Sequence, residues 1–484
     1  MRDLTSMNDS RKFHADQVWL LRGWLDDAML EIDDGRHLKG ALLDVAGATS
    51  KADAQPLGRY VVPGIPNLHS HAFQRAMAGL AERRGPSGDS FWTWREAMYS
   101  YASCVGPDSL RAIASQLYVE MLKAGYTQVC EFHYLHHQPD GRPYDDAAAM
   151  SLALLEAAEE AGIGITLLPT LYMRGGFDGR ALAERQRRFG HEVDGYLRLV
   201  ERLRMQENPT VRIGMALHSL RAVPTDAMTA VLDGASRLGP SRSGFPASMM
   251  PIHIHIAEQV AEVDECIAVH GARPVQWLLD QASVDARWCL IHATHLDERE
   301  VAELATSGAV AGLCPTTEAN LGDGLFPLGE YLAQGGIIGI GSDSQISVSP
   351  IEELRWLEYG QRLVTRSRNV ATSVAGSSVG ESLLQAALAG GAQASGMPIG
   401  QLSGGDASVP SVGHRADFVV LDDASPLLAG RDSGNVIDSW IFSGNSSLVR
   451  DVYVNGRCVV RGFAHAGEAR IAARFRATLD KLAD

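Results

Sequence analysis

The sequence has no apolar run long enough to span a bilayer, and its N-terminus, MRDLTSMNDSRKFHADQ, lacks an apolar signal core. A cytoplasmic protein without a membrane partner is expected. Cysteine is sparse. Cys104, Cys130, Cys266, Cys289, Cys314 and Cys458 form no CxxC pair, and several sit inside apolar runs such as WCLIH and GLCPTT. They read as reduced, mostly buried thiols rather than a disulfide framework. Positive charge is in deficit: 43 Lys and Arg face 58 Asp and Glu, a formal net charge of −15. Nucleic acid and anionic membranes are therefore not expected as partners, although a local basic pocket could still take a small anion. No glycine-rich phosphate loop follows the first apolar run, where PNLHSHAFQ stands instead. That argues against an open, doubly wound nucleotide-binding sheet.

What is present is an alternation. Eight β-rich apolar runs recur: YVVPGIPNLH, YTQVCEFHY, GIGITLLPTLY, VRIGMALHSL, MMPIHIHIA, WCLIHATHL, AVAGLCPTT and GGIIGIGSDS. Helical patterns such as DSLRAIASQLYVEMLKAG, DAAAMSLALLEAAEEAG and DEREVAELATSG lie between them, several opening on Asp or Pro and closing on Gly. Continuous apolar strands alternating with amphipathic helices imply a parallel sheet covered by helices, here an α/β fold of the (β/α)8 barrel type. The two ends read differently. Residues 13 to 62 and 411 to 464 are β-rich, with ADFVVLDDA, SWIFSG and the hairpin signal NG in VYVNGRCVV. Residues 1–62 and 411–484 are expected to pair into one composite β domain ending in an amphipathic helix. Residues 63–410 would form the barrel, and the Gly/Ser-rich GQLSGGDASVPSVGHRADF would link the two.

In such a barrel the active site lies at the C-terminal ends of the strands. Chemically capable residues collect there: His69 and His71; Glu131, His133 and Tyr134; Tyr172; His218 and Arg221; His255 and Glu258; His292 and His295; Thr316, Thr317, Glu318 and Asn320; Asp343 and Ser344. Two residues apart on a strand, His69 and His71 face the same side and can reach one cation. His255 and Asp343 complete a set of three imidazoles and a carboxylate, which suits Zn²⁺, with Fe²⁺ or Mn²⁺ also fitting. His253 shares the face of His255 but lies farther from the rim, so it is expected one layer deeper as a hydrogen-bonded group. Glu258 is placed to act on water without ligating.

The ordered set of HxH, HxxE, the strand-six His292 and the strand-eight Asp343 resembles the amidohydrolase superfamily over nearly the whole chain. The strand-four run VRIGMALHSLRAV has no lysine, and HxxE resembles the one-metal deaminase branch. The resemblance implies a single divalent ion that makes hydroxide from water near neutral pH, with His69, His71, His255 and Asp343 as ligands. Asp343 would also take the water's proton, His292 would orient the nucleophile, and Glu258 would carry a proton to the leaving nitrogen. His295 could compete with His292 but is expected to serve the loop. NLHSHAFQRAMAGLAERRG, FWTWREAM, EFHYLHH, LHSLRAV and CPTTEANLGDGLFPL resemble a deiminating member of the branch, from one route of histidine degradation. The implied substrate is N-formimidoyl-L-glutamate, a small dicarboxylate with an amidine-like group. Two carboxylates call for arginine, so Arg95 and Arg221 are assigned to them, with Tyr134, Gln74 and His218 as further substrate contacts.

Blander roles compete. Arg95 could be structural on its helix, and Gln74 could cap the first turn. Arg83 and Arg84 read as solvated loop. His136 and His137 read as loop residues near the site rim, and Trp92 and Trp94 as aromatics that close the pocket. No role is assigned to Glu318 or Asn320. A guanine or adenosine-like deaminase would share the catalytic residues, and an inactive barrel would have lost ligands that are present here. A homodimer is expected.

Overall fold

Two sheets organise the computed structural model, which describes residues 10–21, 23–33, 42–48, 50–51, 53–83, 91–372, 374–402 and 414–483. The chain first lays down β1 (Ser10–Leu20), β2 (Gly23–Asp33), β3 (Leu42–Gly47) and β4 (Gln55–Pro63). It then builds β5 (Ile65–Ser70), β6 (Tyr126–His133), β7 (Gly164–Leu171), β8 (Val211–Ile213) and β9 (Met215–Leu217). The run continues with β10 (Ile252–Ile256), β11 (Trp288–His292), β12 (Val310–Leu313) and β13 (Ile337–Ile340). Finally β14 (Phe418–Leu421), β15 (Val449–Val454), β16 (Arg457–Arg461) and β17 (Ala464–His465) return to the first strands. The resulting order β17-β16-β15-β14-β4-β1-β2-β3 joins both chain ends in one sheet.

Side-chain alternation explains how that end sheet packs. Trp19, Val62, Val419 and Val452 enter the core shared with the barrel, while Val18, Val61, Phe418 and Tyr453 form a separate core on the opposite face. Asn455 and Gly456, at φ 50° and 70°, make the tight turn between β15 and β16 that NG signals. SWIFSG, expected as β, is not a strand. It closes the helix Val436–Phe442, whose buried Val436, Ile437, Trp440 and Ile441 fall on one helical face. The C-terminal helix Glu468–Ala483 packs on the helix Pro107–Ala124, with Lys123 and Glu468 2.5 Å apart. The expected linker lies mainly outside the described residues, which omit 403–413. No described helix is long and apolar enough to cross a membrane.

The barrel is parallel, in the order β13-β12-β11-β10-β9-β7-β6-β5, with β8 beside β7. The fourth apolar run is thus a broken strand, β8 and β9, divided at Gly214. Closure between β13 and β5 happens at the rim. Ser70 and Asp343 form an isolated bridge, the His71 N–H donates to Asp343 O at 3.1 Å, and the Asp343 N–H donates to His69 O at 3.0 Å. A Cβ at Gly341 would lie 2.7 Å from His69 Cβ, so only glycine lets the seam close this tightly. The seam therefore presses Asp343 against both histidines of HSH.

Candidate active site

His71 and His255 each use Nδ1 to donate to a backbone carbonyl, Phe132 O at 2.8 Å and His218 O at 3.0 Å. With those protons fixed, both Nε2 atoms carry lone pairs. The Nε2 atoms of His69 and His255 stand 3.0 Å apart, and Asp343 Oδ1 is 3.4 Å from Nε2 of both His69 and His71. Burial pushes the His69 pKa down to about 3 and lowers those of His71 and His255, so all three stay neutral. Burial alone would raise the Asp343 pKa. The bond from His69 and the neighbouring His71 and His292 instead hold it well below the usual carboxylate range. Neutral buried lone pairs converging with an ionised carboxylate are a donor set that fits a divalent cation. His253 lies one layer deeper, fully buried and bonded through Nε2 to Ala394 O at 2.9 Å, as expected.

Behind this group stands a second set. His292 Nδ1 lies 3.2 Å from Glu318 Oε1, which also accepts the Cys314 N–H at 2.9 Å. This aims His292 Nε2 between Glu258 Oε1, at 3.7 Å, and Asp343 Oδ2, at 3.8 Å. Burial opposes a charge on His292, but Glu258, Glu318 and Asp343 outweigh it and push its pKa up to about 10. Burial raises Glu258 to about 7 against the pull of His292 and Arg221. The backbone here is strained: Ala257, His292, Asp343 and Gln345 have φ of 51°, 70°, 43° and 63° at the ends of β10, β11 and β13.

A narrow cavity opens over both sets, and Gln74, Arg95, Tyr134, His218 and Arg221 all line it beside Glu258, His292 and Asp343. Arg95 rides on the helix Phe91–Ala102, over the Tyr99 ring at 5.6 Å. Gln74, in the 3-10 turn Ala72–Met77, donates to Tyr134 OH at 3.1 Å and keeps Oε1 buried without a hydrogen-bond partner. Its expected capping alternative is absent, since the turn has no side-chain cap. Trp94, Tyr99, Tyr172 and Phe189 complete the walls, and Gln186 donates to both Tyr99 OH and Tyr172 OH, at 3.2 and 3.0 Å. Tyr99, Phe189 and Gln186 escaped the reading of strand ends because they come from segments between strands. Glu131 does not line the cavity. It accepts from Ser70 Oγ and Ala72 N, at 2.7 and 2.6 Å, and so fixes the end of β5.

Other expectations are corrected. His136 and His137 do not line the cavity, and their Nε2 atoms are tied to Thr170 O and Gly190 O at 2.9 and 2.8 Å. They form a group with His133 and His191 that does not line the cavity. Asn320, to which the sequence assigns no role, donates to Glu82 on the surface, at 2.8 Å. His295 turns to Asp323 O at 2.9 Å, in keeping with a loop role. Arg83 is exposed, while Arg84 and the Trp92 side chain fall outside the described residues.

The sequence model of the amidohydrolase family matches residues 60–459. A formimidoylglutamate deiminase of Pseudomonas aeruginosa is 50% identical over 471 residues, 97% of this chain and 99% of the relative. A 5-methylthioadenosine/S-adenosylhomocysteine deaminase of Natronomonas pharaonis is 25% identical over 434 residues, 90% of this chain and 88% of the relative. Among solved structures, an amidohydrolase from Brucella melitensis superposes with a TM-score of 0.88 at 43% identity, covering 98% of this chain and all of that one. An adenosine deaminase from Xanthomonas campestris with bound zinc shares the fold, with a TM-score of 0.79 at 20% identity over 98% of each chain.

Proposed function

The chain belongs to the amidohydrolase family, and from that premise we propose that it hydrolyses N-formimidoyl-L-glutamate to N-formyl-L-glutamate and ammonia, a step of histidine degradation. The observation that carries the reading is the pairing of two arginines, Arg95 and Arg221, with the histidine–carboxylate cluster in one cavity. It agrees with the full-length 50% identity to a formimidoylglutamate deiminase.

His69, His71, His255 and Asp343 would hold one divalent ion, Zn²⁺ by the donor set, which supplies Lewis acidity and an activated water. The chain's own residues do the rest. Asp343 accepts the proton of the attacking water through Oδ2. The positive charge on His292, held by Glu318, steers the nucleophile and steadies charge at the C=N carbon. Glu258, with its pKa raised to about 7, can both hold and release a proton near neutral pH. It delivers that proton to the imino nitrogen. The water oxygen bonds to carbon, its second proton passes to the emptied Glu258, the proton held on Asp343 reaches the nitrogen, the C–N bond breaks, ammonia leaves, and the carbon becomes the formyl carbonyl. Arg95 and Arg221 clamp the two carboxylates, with Tyr134 and His218 as further donors. The unpartnered Oε1 of Gln74 serves as an acceptor for a substrate N–H.

In this reading residues 63–410 are the catalytic barrel, and 1–62 with 411–484 the composite domain. The enzyme is a cytoplasmic homodimer without nucleic-acid or membrane partners. Exposed Trp356, Leu363 and Val364 on the helix Pro350–Thr365 support a second copy. The test is ammonia release from N-formimidoylglutamate, with and without chelator, beside guanine as substrate. Chelator-sensitive release from the first alone is expected; release from guanine alone would replace this reading with a nucleobase deaminase.

A further inference from the structure

Asp323 follows the helix Pro315–Leu321 in the turn GDG, and nothing in the reaction above uses it. It is buried, and two bonds join it to the segments that carry Glu258 and His292, while a third closes its own helix. Its N–H donates to the carbonyl of Glu318, the partner of His292, at 2.9 Å. Its carbonyl accepts from Nε2 of His295, three residues beyond His292, at 2.9 Å. Its carboxyl oxygen Oδ1 accepts from the side-chain amide of Gln259, the neighbour of Glu258. Oxygens of Asp323 and Glu258 and a nitrogen of His292 all lie within 4.8 Å of one another. The second oxygen, Oδ2, is buried without a hydrogen-bond partner.

The strands alone do not hold Glu258 against His292. Glu258 follows β10 and His292 ends β11, and at both the backbone turns left-handed, at Ala257 (φ 51°) and at His292 and Ala293 (φ 70° and 47°). Such turns persist only where their surroundings over-determine them. Asp323 bonds to the segment beyond each turn. We propose that Asp323 is a positioning residue for proton transfer, fixing Glu258 against His292 by tying the segments after β10 and β11 to the turn after Pro315–Leu321. It works by accepting hydrogen bonds rather than by charge. Burial, followed by the charge on Glu258, pushes its carboxyl up to about 9, which agrees with a neutral working form. Asparagine would preserve that form: its amide oxygen accepts from Gln259, and its NH2 stands where Oδ2 was.

The inference rests on Glu258 and His292 being the proton-handling pair. The experiment compares full-length, metal-replete D323A and D323N with the parent, reading kcat, KM, bound metal and the ¹⁵N resonances of the His292 imidazole. Because a 1 Å misplacement can cost about 100-fold, D323A should lose at least about 30-fold in kcat, with KM within about threefold and metal unchanged. D323N should keep kcat within about fivefold, and the His292 resonances should move in D323A only. Should D323A not fold, Q259L removes the same bond from the other side and should reproduce the kcat loss. Parent-like kcat in D323A or Q259L, or a D323N as impaired as D323A, overturns the proposal. So does an unmoved His292 signal in D323A. If the parent releases no ammonia from N-formimidoylglutamate, the functional reading fails, while the resonance comparison still decides the role of Asp323.

Discussion

The barrel holds two groups of histidines, and only one has the donors of a metal site. In the first, ring centroids of His69, His71 and His255 are 4.7 to 5.3 Å apart. In the second, His136–His191, His137–His191 and His133–His136 are 4.4, 4.8 and 5.2 Å apart, just as crowded. Both groups tie ring nitrogens to backbone carbonyls. The difference lies in where the remaining nitrogens point. In the first group they meet one another and Asp343. In the second no three ligand atoms of these residues come within 4.8 Å of one another among the described residues. The buried cation there, Arg188, donates to the carbonyls of Ala102, Val105 and His137. Crowded imidazoles are therefore not a metal centre. A carboxylate and a shared focus give a donor set that fits one, and the barrel seam supplies both by pressing Asp343 onto β5.

The sharpest way to break the comparison is to remove the carboxylate. Asp343→Ala should lower metal affinity more than about 100-fold, since losing an outer partner alone costs 10- to 100-fold, and turnover should vanish with it. Stoichiometric metal retained by Asp343→Ala would mean the histidines suffice and the distinction is false. Next in size, Glu258→Gln should keep the metal while turnover falls about 100- to 10,000-fold. Unchanged turnover would remove Glu258 from proton transfer. Arg221→Met should leave metal content alone and lower kcat/KM by about 10- to 100-fold through lost carboxylate binding. Steady-state kinetics with equal kcat/KM in variant and parent would put the substrate elsewhere.

The sequence distinguishes the two groups only partly. HSH is legible because period two puts both rings on one face, and because His255 and Asp343 end other apolar runs. HH in EFHYLHHQPDG looks just as metal-like, and its ties to Thr170 in β7 and to Gly190 depend on chain over thirty residues away. The parallel strands were readable from continuous apolar runs. SWIFSG was not, because a short apolar run fits strand and helix alike, and only the preceding Val436 and Ile437 complete the helical face. Glu318 and Asp323 were visible as residues but not as partners. Their roles arise when the segment after β12 folds back onto the ends of β10 and β11.

The smallest expected effect concerns the second group alone. Burial, then His137, lowers the His191 pKa to about 3, and burial with Arg188 and His191 does the same to His133. An unfolded histidine titrates near about 6.5, so the unfolded chain binds more protons between those values. Stability should therefore be full above that pH and decline as pH falls toward 3. His191→Phe removes one such group while keeping a ring in place. Near neutrality it should be close to the parent in urea unfolding. At pH 5 it should be more stable than the parent by about 1–2 kcal/mol, from about 1.4 kcal/mol per pH unit for one group. Parallel pH dependences would show that His191 is not held neutral in the fold. Added divalent metal should leave the difference unmoved, because nothing in that group gives a cation a shared focus. A difference that shifts with metal would mean that both histidine groups collect an ion, and the contrast between them would be one of degree.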